Sequence, residues 1–333
     1  GKDTVIPALV KAGALIDDQD NTGLTASMFA AEHGHAKVIE ALKGADLNVK
    51  SPSGRTASMF AAEHGHAEAI KALKGAGANT DAQDPGGRTA LMFAAMRGHA
   101  EAIEALKGAN MNVKDNQGIS ALMFAAINGQ DKVIPALVKA GALIDDQDNE
   151  GFTALIHTCI RGRGHTEYNL VTHGDNANYG KVADNLIIKG ADINARSNHG
   201  YTPLTYVSAY GDMELVPLLL NQNSIDINTK DADGYSPLMH AIKGGHSKVI
   251  DTLKGKGADS TLRKEDIDRA LISAELGRDN RVIEYLITEK KKNYLASNKS
   301  NTTTNTDTIN SPTSTPINTI VQNIKKGNHD ITR

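Results

Sequence analysis

A helix-forming motif that repeats at intervals near 33 residues constrains the fold of this chain more than any other feature. The segment from Thr25 to His35 recurs letter for letter from Thr56 to His66. Looser copies begin at residues 89, 120, 153, 202, 236 and 268, so that successive starts lie 31, 33, 31, 33, 49, 34 and 32 residues apart. A period of this length is typical of a helical solenoid, in which each unit packs only on its neighbours.

A longer duplication lies on top of this period. Residues 5–21 reappear unchanged at residues 133–149, an offset of 128 residues. That offset equals four successive repeat spacings, so we infer that a block of four repeats was duplicated. In this register the chain opens on the second helix of a repeat, and we interpret its start as a fragment, or as a chain whose cap lies upstream.

Three short motifs resemble those of the ankyrin repeat family. Residues 202–204 (Thr-Pro-Leu) match the start of the family's repeat, residues 98–99 (Gly-His) match its middle, and residues 190–194 (Gly-Ala-Asp-Ile-Asn) match its end. The likeness covers roughly residues 1–288. It implies an all-α ankyrin-repeat solenoid of stacked helix-turn-helix units with β-hairpin loops, followed by a disordered C-terminal tail.

The chain departs from the family at one position of the repeat. The family carries a His at the helix start, where it ties the helix to its neighbours by hydrogen bonds. We expect packing by a flexible thioether to take over that role in most repeats. The residues at this position are Met28, Met59, Met92, Met123, Ile156, Thr205 and Met239.

The motif positions predict four regions. They are a partial N-terminal repeat over residues 1–24, seven ankyrin repeats over 25–267, a C-terminal capping repeat over 268–288 and a disordered tail over 289–333. The copy from residue 268 has lost its Thr-Pro-Leu start and carries more charge, which is typical of a cap. We expect it to end in a helix over residues 279–288. The tail has too few apolar residues to offset its ordering entropy.

The repeats differ in two local ways. The spacing after Leu42 and Leu106 is two residues short, so we predict that the second helices ending there are shorter than those ending near Leu73 and Leu137. The fifth repeat also carries an extra segment of 16 residues, 163–178, with the composition of a loop. This insertion is predicted to protrude, either as a binding surface or as a neutral loop.

Composition and charge exclude several functions. The formal net charge is −3 and no basic stripe follows the repeats, which argues against a nucleic-acid partner. No apolar run approaches the roughly 18 residues needed to cross a membrane. The single Cys159 excludes an intramolecular disulfide, and we interpret it as a buried thiol in a reducing compartment, most simply the cytoplasm.

No catalytic constellation is evident, so we predict that the chain is not an enzyme and needs no cofactor. The Glu-His-Gly-His clusters at 32–35 and 63–66 could suggest metal ligands. Gly34 separates the two His residues of the first cluster, however, which favours a helix-helix joint. We expect His157 and His240, which lie inside predicted helices, to be packed side chains.

The resemblance implies that the hairpins and first helices line a concave groove that holds protein partners. Transferred position by position, one half of that groove would be basic and polar and the other half aromatic. Arg and Tyr are favoured anchors at protein interfaces. The predicted contact residues are Arg55, Arg88, Arg97, Phe152, Tyr201, Tyr210 and Tyr235.

Three functions remain open at this point. The leading hypothesis is a non-catalytic protein-protein interaction scaffold, a monomer that binds an unidentified protein. The second is the targeting module of a larger enzyme or effector whose other domain lies upstream of Gly1, which the upstream reading frame would decide. The third is a structural spacer without a specific partner. The duplicated copies and the tail also resemble ankyrin proteins of host-associated bacteria, which would place the chain in a host cell.

Overall fold

The computed structural model describes residues 5–42, 44–160, 178–258, 267–268, 271 and 280–301. The chain divides into two compact units, Gly1–Leu286 and Ile287–Arg333. In the first unit, pairs of short helices follow one another and each first helix packs on the first helices of the neighbouring repeats. The predicted insertion at 163–178 lies outside the described residues, apart from Asn178.

The helices are numbered here in chain order. Each repeat supplies a first helix and a second helix, and a 3₁₀ turn (Asp131–Val133) leads into α9. The helices are α1 Ile6–Lys11, α2 Ala26–Glu32, α3 Ala36–Ala41, α4 Ala57–Glu63, α5 Ala67–Gly75, α6 Ala90–Arg97, α7 Ala100–Ala105, α8 Ala121–Ile127, α9 Ile134–Lys139, α10 Ala154–Ile160, α11 Tyr179–Ile188, α12 Pro203–Tyr210, α13 Leu215–Leu220, α14 Pro237–Lys243, α15 Ser247–Gly255 and α16 Asn280–Asn301.

The first helices begin at a Ser or Thr, and in most of them its hydroxyl accepts from a free backbone N–H of the first turn. Helix α4 is an exception, because the Thr56 hydroxyl makes no such bond. In α6 the Thr89 hydroxyl accepts from the N–H of Met92, and the Met92 sulfur accepts from the N–H of Thr89, both at 3.4 Å. Ser120 and Met123 form the same reciprocal pair. The helix-start Met therefore does more than the packing we expected, because in α6 and α8 its sulfur also accepts a hydrogen bond.

The second helices differ in length only in part as the sequence predicts. Helices α3 and α7 each have 6 residues and end one residue before Leu42 and Leu106. Helix α5 has 9 residues and continues past Leu73, so the prediction is confirmed for this helix, and α3 and α7 are shorter at their C-terminal ends. The prediction is wrong for α9, which also has 6 residues, because the three residues before it form a 3₁₀ turn instead of α-helix.

The hairpins are tight turns closed by a recurring pair of backbone hydrogen bonds. In one of them the N–H of Asp84 donates to the carbonyl of Arg88 at 3.0 Å, and the N–H of Gly87 donates back to Asp84 at 2.9 Å. Gly87 has a φ of +83°, which a side chain would strain. In the described part of the chain seven hairpins share this pattern, and they span residues 20–24, 51–55, 84–88, 115–119, 148–152, 197–201 and 231–235.

Two series of side chains join each hairpin to the next. In the first series a carboxylate or amide oxygen accepts from a backbone N–H of the following repeat, as Asp81 does from Asn110 at 2.9 Å. In the second series Lys50 donates to the Gln83 carbonyl at 2.8 Å, and Gln83 donates to the Lys114 carbonyl at 3.2 Å. These bonds fix the register between repeats. The acceptors of the first series are Asp17, Asn48, Asp81, Asn112, Asp145 and Asn194.

Helix α16 is longer than expected. We predicted a helix over 279–288, whereas α16 continues to Asn301. Within it, Lys292 pairs with Glu289 three residues earlier, at 2.7 Å, which favours helical backbone at that point. The disordered tail that we predicted from residue 289 is therefore helical as far as residue 301. Most of the predicted capping repeat before residue 280, and residues 302–333, lie outside the described residues.

Candidate functional site

Three positions of the repeat come together where the hairpin meets the first helix, most clearly in the fifth repeat and in the last full one. They are the first hairpin residue, the residue after the hairpin Gly four places on, and a first-helix residue nine places on. In the fifth repeat one oxygen of Asp148 accepts from the N–H of Phe152, and the other accepts from the Nε2–H of His157, both at 2.8 Å. The Phe152 ring meets the His157 ring edge to face at 5.5 Å. The turn and the helix are therefore held by one buried carboxylate.

The last full repeat builds the same arrangement. Asp231 accepts from the N–H of Tyr235 at 2.8 Å and from His240 Nε2 at 2.6 Å. Burial lowers the pKa of His240, and the hydrogen bond that it donates to Asp231 offsets part of that effect. The imidazole is therefore held neutral near pH 7, as a structural donor.

Phe152 and Tyr235, two of the predicted contacts, are buried. Only 4% of Phe152 and 9% of Tyr235 is exposed. Both rings turn back onto the first helix of their own repeat, where Phe152 packs on His157 and Tyr235 packs on His240. Both rings lie beneath the surface of the predicted groove and leave a partner little area to contact. Their burial therefore does not fit the direct contact that we expected of them.

Tyr201 and Tyr210 are half-buried, and with the buried rings they form a continuous row of ring contacts. Tyr201 meets Tyr206 at 5.2 Å and His240 at 4.9 Å, and Tyr210 stacks on Tyr206 at 6.4 Å. Phe152 reaches the same Tyr206 ring from the preceding repeat at 5.8 Å. Burial raises the pKa of Tyr206 to about 12, so its hydroxyl stays protonated. The predicted aromatic half is thus one connected cluster across three repeats.

Arg55 and Arg97 share a single carboxylate. Glu63, at the end of α4, accepts a hydrogen bond from Arg55 and another from Arg97 in the following repeat, the latter at 2.9 Å. The Arg55 guanidinium also lies between the rings of Phe60 and Phe93, at 4.6 and 4.4 Å from their centroids. Burial raises the pKa of Glu63, but the hydrogen bonds from the two arginines outweigh it and lower the pKa.

Arg88 is committed to its own hairpin. Its Nε donates to the Asp84 carboxylate at 2.9 Å, and its guanidinium lies 5.1 Å from the centroid of the Phe93 ring. Of the three predicted arginines, Arg97 has the most exposed side chain, at 44%. The basic half of the predicted groove therefore consists of paired arginines, with Arg97 at its accessible edge.

The role of Glu63 at the centre of the arginine network and the two buried Asp–His pairs were not predicted from the sequence. A signal for the pairs exists in the sequence. Asp148 and His157 are nine residues apart, and so are Asp231 and His240. Nine residues connect the first hairpin position to the middle of the first helix, and a polar residue at both positions indicates a buried pair.

The histidines of the Gly-His motif have a structural role. The Nε2 atoms of His66 and His99 donate to the carbonyls of Glu32 and Glu63, which end the preceding first helices, at 3.0 and 2.9 Å. Across the described ranges, no group of three or more His, Cys, Asp or Glu side chains is placed to hold a metal ion. Cys159 is buried in α10.

Two further findings bear on the class of this protein, namely the length of its helices and its match to a known family. None of the helices in the described ranges is long and apolar enough to cross a membrane. The family model described as "Ankyrin repeats (3 copies)" matches residues 1–84, 28–115, 58–148, 91–174 and 169–264. No curated protein matches the chain. Repeats of this kind are typically non-catalytic and are generally protein-protein interaction modules, and this chain belongs to the ankyrin repeat family.

Proposed function

We propose that this chain is a non-catalytic scaffold that binds a partner protein in the concave groove lined by its hairpins and first helices. The observation that carries the proposal is a pair of clusters along those elements. One contains Arg55, Glu63 and Arg97 with the Phe60 and Phe93 rings, and the other is the row of rings around Tyr206. Phe93 and Tyr206 are packed in the core, but half-buried and exposed members of both clusters leave surface that a partner can contact.

The accessible members of the two clusters are the contacts we propose. Tyr201 and Tyr210 are half-buried and Arg97 is exposed, so each offers a partner a rigid or charged surface. Arg55 shares the Glu63 carboxylate with Arg97, whereas Arg88 pairs with Asp84 of its own hairpin. Paired arginines do not form a cationic track for a phosphate backbone, which favours protein over nucleic acid as the partner.

The proposal places the scaffold in a reducing compartment such as the cytoplasm, as a monomer. The single, buried Cys159 supports that compartment, because no disulfide is needed for the fold. A partner would then meet one continuous stack of repeats.

A site-specific cross-linking experiment tests the groove. A photoreactive phenylalanine analogue replaces Tyr210, and in a matched control it replaces Lys71, an exposed residue of a second helix. After illumination in lysate, we expect a discrete covalent adduct from position 210 that is absent from position 71. Equal adducts from both positions, or adducts only from position 71, would place the partner outside the groove.

A further inference from the structure

We propose that the surface around Arg97 receives an Asp or Glu side chain of the partner, with an apolar partner side chain a few residues away on Phe29. This rests on the proposed function and adds the chemistry of the bound segment. The surface is called the acid-binding patch here, and it consists of Phe29, Arg55, Phe60, Glu63 and Arg97.

The network of Arg55, Glu63 and Arg97 has a net positive charge. Arg55 and Arg97 bring two guanidinium groups to one carboxylate, Glu63, so the network keeps one positive charge. The Nε of Arg55 is buried without a hydrogen-bond partner. A guanidinium group has five N–H donors in a planar fork, and a carboxylate satisfies two of them at once. The exposed Arg97 is where a second carboxylate would complete the network.

The positive charge of Arg97 also acts on a neighbouring side chain. Burial lowers the pKa of His99, the hydrogen bond to the Glu63 carbonyl offsets part of that effect, and the positive charge of Arg97 adds to it. Arg97 and His99 therefore lie within electrostatic reach of one another, and the charge of Arg97 repels a second positive charge. A partner carboxylate would relieve it, whereas a Lys or Arg of the partner would increase it.

The arginine network forms around one of two helices that have the same sequence. Thr25–His35 and Thr56–His66 have the same sequence, and Glu32 is the counterpart of Glu63. At the two positions that give Glu63 its arginines, the repeat containing Glu32 has Leu24, and the repeat after it has His64. The arginine network thus forms around one copy of the helix, which makes the acid-binding patch a local feature within repeated scaffold.

Phe29 provides the apolar contact of the acid-binding patch. Phe29 is the counterpart of Phe60, and 42% of its surface is exposed, which is high for a Phe. It lies on α2, and Arg97 lies on α6, with α4 packed between them. Two helix layers at roughly 8–10 Å each separate the backbones of α2 and α6 by about 16–20 Å, the longest span that the partner segment would have to cover. An extended segment covers that distance in about five or six residues at roughly 3.3 Å per residue.

The test uses the full chain and a fluorescein-labelled peptide of Gly and Ser that carries one Leu and, about six residues away, one Glu. A second peptide replaces the Glu with Lys. Fluorescence anisotropy should show the Glu peptide binding at least about tenfold more tightly than the Lys peptide, as expected for a charge-assisted bidentate contact. Moving the Glu next to the Leu should remove most of that preference.

Matched variants assign the preference to the patch. Arg97→Gln should abolish it, whereas Lys71→Gln, a change of the same charge on a second helix, should leave it intact. Glu63→Gln removes the internal competitor and should strengthen binding of the Glu peptide, while Glu32→Gln in the identical helix should change it little. Circular dichroism of each variant checks that the fold is retained.

Each outcome decides between the two proposals. Equal binding of the Glu and Lys peptides, or no binding of either up to about 1 mM, overturns the acid-binding patch. If position 210 still cross-links a partner in that case, the groove function stands and only its proposed chemistry fails. A preference that survives in the Arg97→Gln variant would place the acidic contact elsewhere on the chain.

Discussion

Residues 5–21 and 133–149 have the same sequence but lie in different surroundings. Leu137 in α9 has no exposed surface, whereas its counterpart Leu9 in α1 is 50% exposed. Helices α7 and α8 pack on α9, while no helix precedes α1 among the described residues. The local conformation is the same and the burial is not. In a solenoid, the neighbouring repeat decides how much a given side chain contributes to stability.

The two copies agree in the contacts they make forward along the chain. Asp17 and Asp145 each accept from a backbone N–H of the next hairpin, at 2.9 and 2.8 Å. Gln19 and Gln147 each donate to a carbonyl of the next hairpin, at 3.1 and 2.9 Å. Because a following repeat is present in both places, identical residues make identical forward bonds.

They differ in the contacts made backward and within the repeat. Asn149 donates its backbone N–H and its side chain to the preceding hairpin, at 3.1 and 3.2 Å. Asp148 pairs with His157, whereas its counterpart Asp20 has Phe29 nine residues on. The same residues thus contribute more to the stability of the fold in the second copy than in the first. Substitutions at equivalent positions of the two copies test this difference.

The largest difference is expected for Leu to Ala at the equivalent helix positions. Leu137→Ala leaves a cavity between repeats and should lower the free energy of unfolding by about 2–5 kcal/mol. Leu9→Ala removes a half-exposed side chain and should cost less than about 0.5 kcal/mol. Urea denaturation of the full chain measures both. Equal losses would mean that burial of this position does not depend on the preceding repeat.

A smaller difference is expected for the hairpin carboxylate. Asp148→Ala leaves His157 and two turn N–H groups without their acceptor, which should cost about 3 kcal/mol. Asp20→Ala removes the acceptor of an exposed turn, so the loss should be clearly smaller. Thermal melts and urea titrations of both variants make the comparison. A larger loss from Asp20→Ala would contradict the role assigned to the buried pair.

Asn149→Ala should cost about 1 kcal/mol, because one side-chain hydrogen bond to the preceding hairpin is lost while the backbone bond remains. Asn21→Ala, the counterpart, should have less effect. Amide exchange of the hairpin at 148–152 provides the local readout, since loss of the bond should speed exchange there first. Unchanged exchange in Asn149→Ala would show that the side-chain bond adds nothing.

The smallest effect concerns pH and the second buried Asp–His pair. The pKa of His240 in the folded state lies below its unfolded value of about 6.5. Protonation therefore favours the unfolded state, so this contribution is complete above about pH 6.5 and is lost as pH falls through that value. Stability should decline between pH 7.5 and 5.5, and less steeply in His240→Gln. An equal decline of stability with pH in both proteins would show that His240 does not contribute to this pH dependence.

Much of the candidate site could be read from its place in the repeat, but the accessibility of its members could not. Arg55, Arg97 and Phe152 lie at the hairpin and first-helix positions from which we predicted the groove. Whether such a side chain points outward depends on what lies beside it. Phe152 turns onto His157, while Arg55 lies between rings of two repeats. These contacts join residues that the repeat period alone does not connect.

The amino-acid sequence by itself determined the repeat period, the helix pairs and the short second helices, because these follow from local spacing, capping residues and Gly positions. The tertiary structure decided the burial of Leu137 against the exposure of Leu9, and the pairing of Glu63 against the isolation of Glu32 from arginine. The physical reason is that burial and electrostatics depend on neighbours in space. Identical segments of this chain have different neighbours, so their contributions differ.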